Sequence, residues 1–585
     1  MTNGRGRRKF LQTLPLAAAL PAAFPRVSFP QVSDTSGAEI ANPQVSDTGG
    51  AEISDATLRE AEKIAAVTFS DTERAGMIAN VTANRTNYET LRAIDVADDV
   101  EPAFSFEPLA RTRPAAPATP HAPLTVDRPR LATRPADDDL AFLPLTALAA
   151  LIQSRAVSSA ELTELYLARL KRFGPALECV VTLTEDLARA QAAEADREIR
   201  AGRYRGPLHG IPYGIKDLFA TKNIRTTWGA APFKERVPAI DATAVERMRA
   251  AGAVLLAKLT TGELAVGDVW FGGRTRNPWD TTRGSSGSSA GPASATAAGL
   301  VGVSIGTETG GSIISPAHTC GVAGLRPTYG RSSRYGCMTL RWTMDKVGVI
   351  ARGVEDTAVV LNAIYGPDGR DRTVADAAFA WRGARPLGAL KIGVVQDEFE
   401  HEPRENSDTR MRWPDTRRTL AAALDALRRA GATLTPVAFP AMHENALYAI
   451  LNAEAGAAFD ALVRAGRVGE LAGKGPNDRA NQLRFSRFIP AVEYIRAQRV
   501  RTLLGEEMER LMADYDVIVS PSTSESVTTT NLTGHPAITV NAGLAGGLPV
   551  GLMLTGRLYD EATLVGAALS YERARGEQRE RPKLG

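Results

Sequence analysis

Cysteine is scarce: Cys179, Cys320 and Cys337 are the only three in 585 residues. An odd, sparse set without CxxC spacing excludes a disulfide framework and a thiolate metal cluster. The six histidines (His121, His209, His318, His401, His443, His535) are scattered without ligand spacing, so neither a metal nor any other cofactor is expected. Net charge is nearly absent as well, at +3 from 69 basic and 66 acidic residues. Arg5, Arg7, Arg8 and Lys9 lie within the first 25 positions with no acid among them, so the remainder is close to neutral. A near-neutral body lacks the basic stripe of a phosphate-backbone binder, and no nucleic-acid partner is expected. At 44% hydrophobic and 23% charged, the chain has the composition of a soluble globular protein.

What is present begins with a signal. Gly6-Arg7-Arg8-Lys9-Phe10-Leu11 precedes a short apolar stretch, Leu14 to Ala23, broken by Pro15 and Pro21. A basic segment followed by a short apolar one is a targeting signal, and arginines ahead of Phe-Leu resemble the twin-arginine export motif. The stretch is too short for a spanning helix, which needs roughly 20 residues. Residues 1–25 are therefore expected to send the protein out of the cytoplasm, to a periplasmic or secreted location. A 13-residue near-duplication follows, from Pro30 and again from Pro43, and residues 26–53 read as a flexible spacer. From Ser54, Leu58, Ala61, Ile64 and Ala65 share a helical face, giving a helical segment over 54–100. Eight prolines over 101–139 leave too few backbone donors for regular structure and predict an extended connector.

The body spans 140–585. Its first part, 140–205, has helical periodicity. Strand-like runs then alternate with helices: Val254–Ala257, Gly302–Ile305, Leu390–Val395, Val517–Val519 and Ala537–Val540. That alternation predicts an α/β fold with a largely covered sheet.

Residues 284–311 are dominated by glycine, serine, alanine and threonine. Within them Pro292 to Gly299 forms a small-residue helix and Gly302–Ile305 a strand, which excludes a plain linker. No Gly-Lys-Ser/Thr ending is present for a phosphate cradle, and no dinucleotide pattern in the right setting. Gly287-Ser288-Ser289-Ala290-Gly291 matches G-x-S-x-G, with Ser289 as the elbow nucleophile. The preceding Asn277–Arg283 is turn-like rather than a strong strand, so the match is read as chance.

Several ordered blocks resemble the amidase signature family. They are Gly210-Ile211-Pro212 through Lys216-Asp217, Asn277-Pro278-Trp279-Asp280, Ser286-Gly287-Ser288-Ser289-Ala290-Gly291, Thr307-Glu308-Thr309-Gly310-Gly311-Ser312-Ile313, Cys320 to Thr328, Asn531 to Ala537 and Gly547 to Leu552. The resemblance runs from about 140 to 575. It implies a large mixed, mostly covered sheet flanked by helices, and a Ser-cisSer-Lys triad. Carried over by motif, Lys216 is the base, Ser288 the bridging serine and Ser312 the nucleophile; the ungapped Asn277–Asp280 block selects Ser288 over Ser285, Ser286 and Ser289. Backbone N–H groups of Thr309, Gly310, Gly311 and Ser312 are implied as the oxyanion hole, with Gly287, Ser289 and Asp280 in support.

Chemistry is consistent with those roles. An amide carbonyl is a poor electrophile, and a serine needs an adjacent base to attack it. Lysine serves if burial lowers its pKa from about 10.4 toward roughly 7–8. Glu308 stands where the family has Asp, Ile314 where an Arg is common, and Ala290 where it has glycine; Glu308 thus needs a different partner. The expected partner is a small-molecule amide, and a homodimer is left open. Two further readings stand beside the amide hydrolase. One is an amidotransferase A-type subunit that releases ammonia. The other is a catalytically silent scaffold, which an intact Lys216, Ser288 and Ser312 set argues against.

Overall fold

Short runs rich in valine, isoleucine and leucine pair into one 11-stranded sheet in the computed structural model. The structure describes residues 52–97, 99–104, 124, 126, 134–400, 407–441, 444–576 and 580–584. The export signal, nearly all of the duplicated spacer and most of the proline-rich connector lie outside the described residues. The strands are β1 (Val180–Leu183), β2 (Pro212–Lys216), β3 (Val254–Leu259), β4 (Val303–Glu308), β5 (Ala323–Arg326), β6 (Lys346–Ala351), β7 (Ile392–Val395), β8 (Leu434–Val437), β9 (Val517–Pro521), β10 (Ala537–Ala545) and β11 (Leu548–Gly556). Across the sheet they run β1-β3-β2-β4-β6-β5-β10-β11-β9-β7-β8.

The sheet is mixed. β3, β2 and β4 are parallel, as are β9, β7 and β8. From β4 through β6, β5, β10 and β11 to β9, every pair is antiparallel. Every residue of β2, β3, β5, β6, β9 and β11 is buried, so both faces are covered by helices, which is why these strands lack polar alternation.

Two sequence expectations change. The 140–205 stretch is helical except for β1, which pairs antiparallel with β3. The preceding helix ends at Glu178, whose φ of 48° is left-handed, and the β-branched Val180-Val181-Thr182 then extends. Pairing with a distant strand is invisible to local periodicity. Asn277–Arg283 is also not all turn: Arg276–Asn277 and Asp280–Gly284 form a small two-stranded ribbon outside the main sheet.

Helices α1 (Asp55–Ala65) and α2 (Asp71–Ala93) open the described chain. Each starts with a capping box, Ser54 with Thr57 and Ser70 with Glu73. α2 packs on helices α4 (Glu444–Ala458), α5 (Arg479–Phe485) and α6 (Ala491–Met512) of the body, and α1 packs on α2 and on the short turn Ser486–Phe488. Between these groups, α3 (Ala290–Ala297) follows the serine-rich segment. Among the described residues, no helix is long and apolar enough to cross a membrane.

Parallel β2 and β4 end side by side at Lys216 and Glu308, which delivers both motif ends to one edge of the sheet. The first turn of α3 is pressed onto the chain beside β3. A Cβ on Gly291 would lie 2.4 Å from Thr260 N and 2.6 Å from Cys179 O, both backbone atoms. Gly291→Ala is therefore expected to destabilise the protein by about 1–3 kcal/mol. Thermal unfolding checks this; an unchanged midpoint would mean that α3 can back away freely.

Candidate active site

Lys216 is the last residue of β2 and is fully buried. Its ammonium donates to Ser288 Oγ (2.8 Å) and Thr307 Oγ1 (2.9 Å), with the Thr307 carbonyl at 3.4 Å. Burial lowers its pKa to about 7, against the weaker opposing pull of Asp345 and Glu308. Once neutral, the lysine can accept the Ser288 proton across the same 2.8 Å contact. The Gly287–Ser288 peptide bond is cis. Gly287 is required by a close approach, since a Cβ there would lie 1.8 Å from the Gly267 carbonyl oxygen.

Ser312 sits on the turn after β4 and is partly exposed. Its carbonyl accepts from Ser289 N–H at 3.0 Å, which joins the serine-rich segment to this turn. Ser289 Oγ in turn donates to the Thr307 carbonyl (3.0 Å) and accepts from Thr307 N–H (3.3 Å). Ser289 is thus fully buried and engaged as a tie. Asp280 keeps to its own ribbon, accepting from Thr282 N–H (3.0 Å), Thr282 Oγ1 (2.6 Å) and Arg283 Nε (3.0 Å).

Glu308 holds the turn in place. Its Oε2 accepts from the N–H groups of Ile313 (2.7 Å) and Ile314 (2.8 Å). Its Oε1 accepts from Arg326 Nη1 (2.8 Å) and Asn531 Nδ2 (2.7 Å). Burial alone would raise its pKa, but Arg326, the Ile314 N–H and Asn531 outweigh it and keep the carboxylate below its ordinary value. Arg326, at the end of β5, is therefore the partner that Glu308 was expected to need in place of a residue at 314. Gly311 has φ 111°, a conformation that favours glycine. With the Ile313 and Ile314 donors committed to Glu308, the N–H groups of Thr309 to Ser312 face no acceptor among the described backbone contacts.

Three groups escaped the sequence reading. Thr307 is the acceptor beside Lys216, though it opens a quoted motif. Lys258 on β3 is a second fully buried lysine, 3.4 Å from the buried carboxylate of Asp217. Burial lowers Lys258 to about 8 and raises Asp217. Lys346, in register with Glu308 across β6 and β4, is a third; burial drives it well below the ordinary lysine value. Lys346 lines a cavity of about 250 Å³ together with Thr307, Thr309, Cys337, Met338 and Asp345. A glutamine or valine at those lysine positions would have looked equally strand-like, so only the fold distinguishes them.

His318 and His209 are engaged in structural contacts. His318 Nδ1 accepts from Gly551 N–H at 2.7 Å, and His209 Nδ1 from Arg205 N–H at 3.1 Å. Burial raises the pKa of all three thiols, which disfavours the reactive thiolate.

The sequence model of the Amidase family matches residues 161–531. The chain is a member of the amidase signature family. It is accordingly an amide-hydrolysing enzyme. It is 37% identical over 500 residues to the A-type subunit of glutamyl-tRNA(Gln) amidotransferase from Chloroflexus aurantiacus, covering 76% of this chain and 99% of that one. The corresponding protein of Methylococcus capsulatus is 36% identical, over 74% of this chain and 96% of its own. Among solved structures, the native peptide amidase of Stenotrophomonas maltophilia matches with a TM-score of 0.65 and 32% identity, over 75% of this chain and 98% of that one.

In this amidase the Glu308–Arg326 pair is fully buried. Arg326→Met would strand a buried carboxylate, at a cost of about 3–5 kcal/mol. Pairing it with Glu308→Gln is expected to recover part of that loss in urea unfolding; strictly additive losses would show that the two side chains do not depend on each other.

Proposed function

We propose that the enzyme hydrolyses a small-molecule carboxylic amide through a serine acyl-enzyme, with Lys216 as base, Ser288 as relay and Ser312 as nucleophile. The observation that carries this reading is the 2.8 Å contact between a fully buried Lys216 and Ser288. Neutral Lys216 takes the Ser288 proton as Ser288 takes that of Ser312. Ser312 Oγ bonds to the amide carbon, and negative charge moves to the carbonyl oxygen. The N–H groups of Thr309, Gly310, Gly311 and Ser312 are suited to receive it, and losing one such donor costs about 100- to 1000-fold. The proton returns through Ser288 to the leaving nitrogen, the C–N bond breaks, and water hydrolyses the ester by the same relay in reverse.

The relatives named as amidotransferase subunits favour a second reading, in which ammonia is passed to an acylated tRNA. A near-neutral body without a basic stripe weighs toward a stand-alone hydrolase. The export signal weighs the same way, and we propose a periplasmic or secreted location. Copurification of partner subunits, or tRNA-dependent amide formation by the purified protein, would favour the amidotransferase. Exchanging Arg7 and Arg8 for lysine should retain the protein in the cytoplasm; export undiminished by the exchange would remove the twin-arginine assignment.

Ser312→Ala should abolish both turnover and labelling by a fluorophosphonate. Labelling that persists at Ser289 would instead support the elbow serine. Lysine must be neutral to act and its pKa is about 7, so kcat/KM should rise with pH through that value and level off above it. At pH 5 the neutral fraction, and with it kcat/KM, is down about 100-fold. A profile flat from pH 5 to 9 would rule out Lys216 as base.

A further inference from the structure

The helical pair α1–α2 lies ahead of the family match, which begins at 161. It is nevertheless built into the catalytic neighbourhood. Leu58, Phe69 and Met77 share one apolar cluster with Leu218, Ala265, Met338 and Leu340. Those four residues line the cavity beside Thr307 and Thr309. The pair is also tied down by polar contacts. Asn481 Nδ2 donates to the Gly76 carbonyl (2.9 Å), and Arg496 Nε to the Leu91 carbonyl (2.9 Å). Arg74 is buried against Glu62 within the pair itself.

A second cavity, of about 510 Å³, has one lining residue in common with the first. The two share Trp342, which lines both and is 48% exposed. Ala65, at the end of α1, forms one wall. Ala453, Gly456 and Ala457 of α4 form another, so the space is left open by small side chains. Two charged groups reach its rim, and both are engaged. Glu454 accepts from Thr343 N–H (3.0 Å), Thr343 Oγ1 (2.6 Å) and Tyr494 OH (3.2 Å). Arg487 is paired with Asp460. What remains for an occupant is a lining of alanine, glycine and Ile489 with the Trp342 and Tyr494 rings and the Ser486 hydroxyl, a surface that suits an apolar or aromatic group better than a charged one.

We propose that this second chamber holds a large apolar or aromatic part of the amide substrate while the scissile bond sits at Ser312, three residues beyond Thr309 in the wall of the first cavity, and that α1 supplies a specificity wall through Ala65. The inference rests on the amide-hydrolase reading and narrows its substrate class to amides bearing such a group a few bonds from the carbonyl. Trp342 is the dividing wall over which the substrate passes, and its ring face is the contact surface.

The test compares acetamide with 4-phenylbutyramide and N-phenethylacetamide on the full-length enzyme, measuring product release. Wild-type kcat/KM should favour at least one phenyl-bearing amide by about 10-fold or more, the discrimination that burying such a group affords. Ala65→Trp and Ala457→Trp each fill the chamber from a different helix. Both positions carry some solvent exposure, which makes the larger side chain compatible with folding. Each variant should lower the ratio of phenyl amide to acetamide kcat/KM by about 10-fold, chiefly through KM. No preference in the wild type, or a ratio unchanged in both variants, overturns the chamber while leaving the hydrolase reading intact. No Ser312-dependent release from any of the three amides overturns both.

Discussion

A lysine amine held dry at the end of a β-strand, without a carboxylate of its own, is the constraint on which the rest of this site depends. The contrast with its neighbour makes the point. Lys216 and Lys258 lie on adjacent parallel strands, with Lys258 in register with Ile215, and both are fully buried. Lys258 has Asp217 at 3.4 Å, together with the Thr226 hydroxyl at 2.8 Å. Among the described residues, Lys216 has hydroxyls and a carbonyl within hydrogen-bond reach and no carboxylate. An adjacent carboxylate favours the ammonium, whereas burial against neutral acceptors favours the free amine. One strand pair thus holds a lysine beside a carboxylate and one beside neutral acceptors, and the second gives up its proton more readily, at about 7 against about 8.

That arrangement requires the nearby carboxylates to be occupied. Glu308 follows directly after Thr307, the Lys216 acceptor, and would lower the value of the lysine as a base by pairing with it. Arg326 and Asn531 claim one of its oxygens, and the Ile313 and Ile314 amides the other. Asp345 accepts from Thr309 Oγ1 (2.6 Å) and from the Leu340 (2.8 Å) and Arg341 (2.9 Å) amides. The bonds that keep Glu308 from the lysine also fix the turn bearing Ser312. The Ile313 and Ile314 amides bonded to Glu308 are spent on structure, whereas those of Thr309 to Ser312 face no acceptor among the described backbone contacts.

The sequence was most legible where local patterning and chemistry coincide. Five strands announced themselves as apolar runs, and the motif blocks identified the neighbourhood of Lys216, Ser288 and Ser312 before any coordinates. It was least legible where a role depends on what lies across the sheet. β1 hid behind helices because its partner is some 70 residues away. Arg326 sat inside a quoted motif with no sign that it faces Glu308, since the two lie on β5 and β4 with β6 between them. Pocket walls were illegible for the same reason. Within the helical stretch 444–512, Glu454 and Tyr494 line the second cavity. Phe459 is packed in the apolar cluster around α1, and Arg501 is spent on the Leu532 carbonyl (2.6 Å) and Thr343.

The same dryness ties the N-terminal helices to the chemistry. Desolvation is the largest influence on Lys216, so its basicity follows from how well water is kept from the end of β2. Leu218, two residues beyond the lysine, belongs to the cluster that Leu58, Phe69 and Met77 complete. A segment outside the region matched by the family model thus contributes apolar cover two residues from Lys216. Removing that cover would let solvent approach Asp217 and Lys258 as well, where water would restore the charged forms and weaken their mutual dependence. The helical extension is in this sense part of the surroundings that set the Lys216 amine, because its lowered pKa follows from everything that excludes water around it.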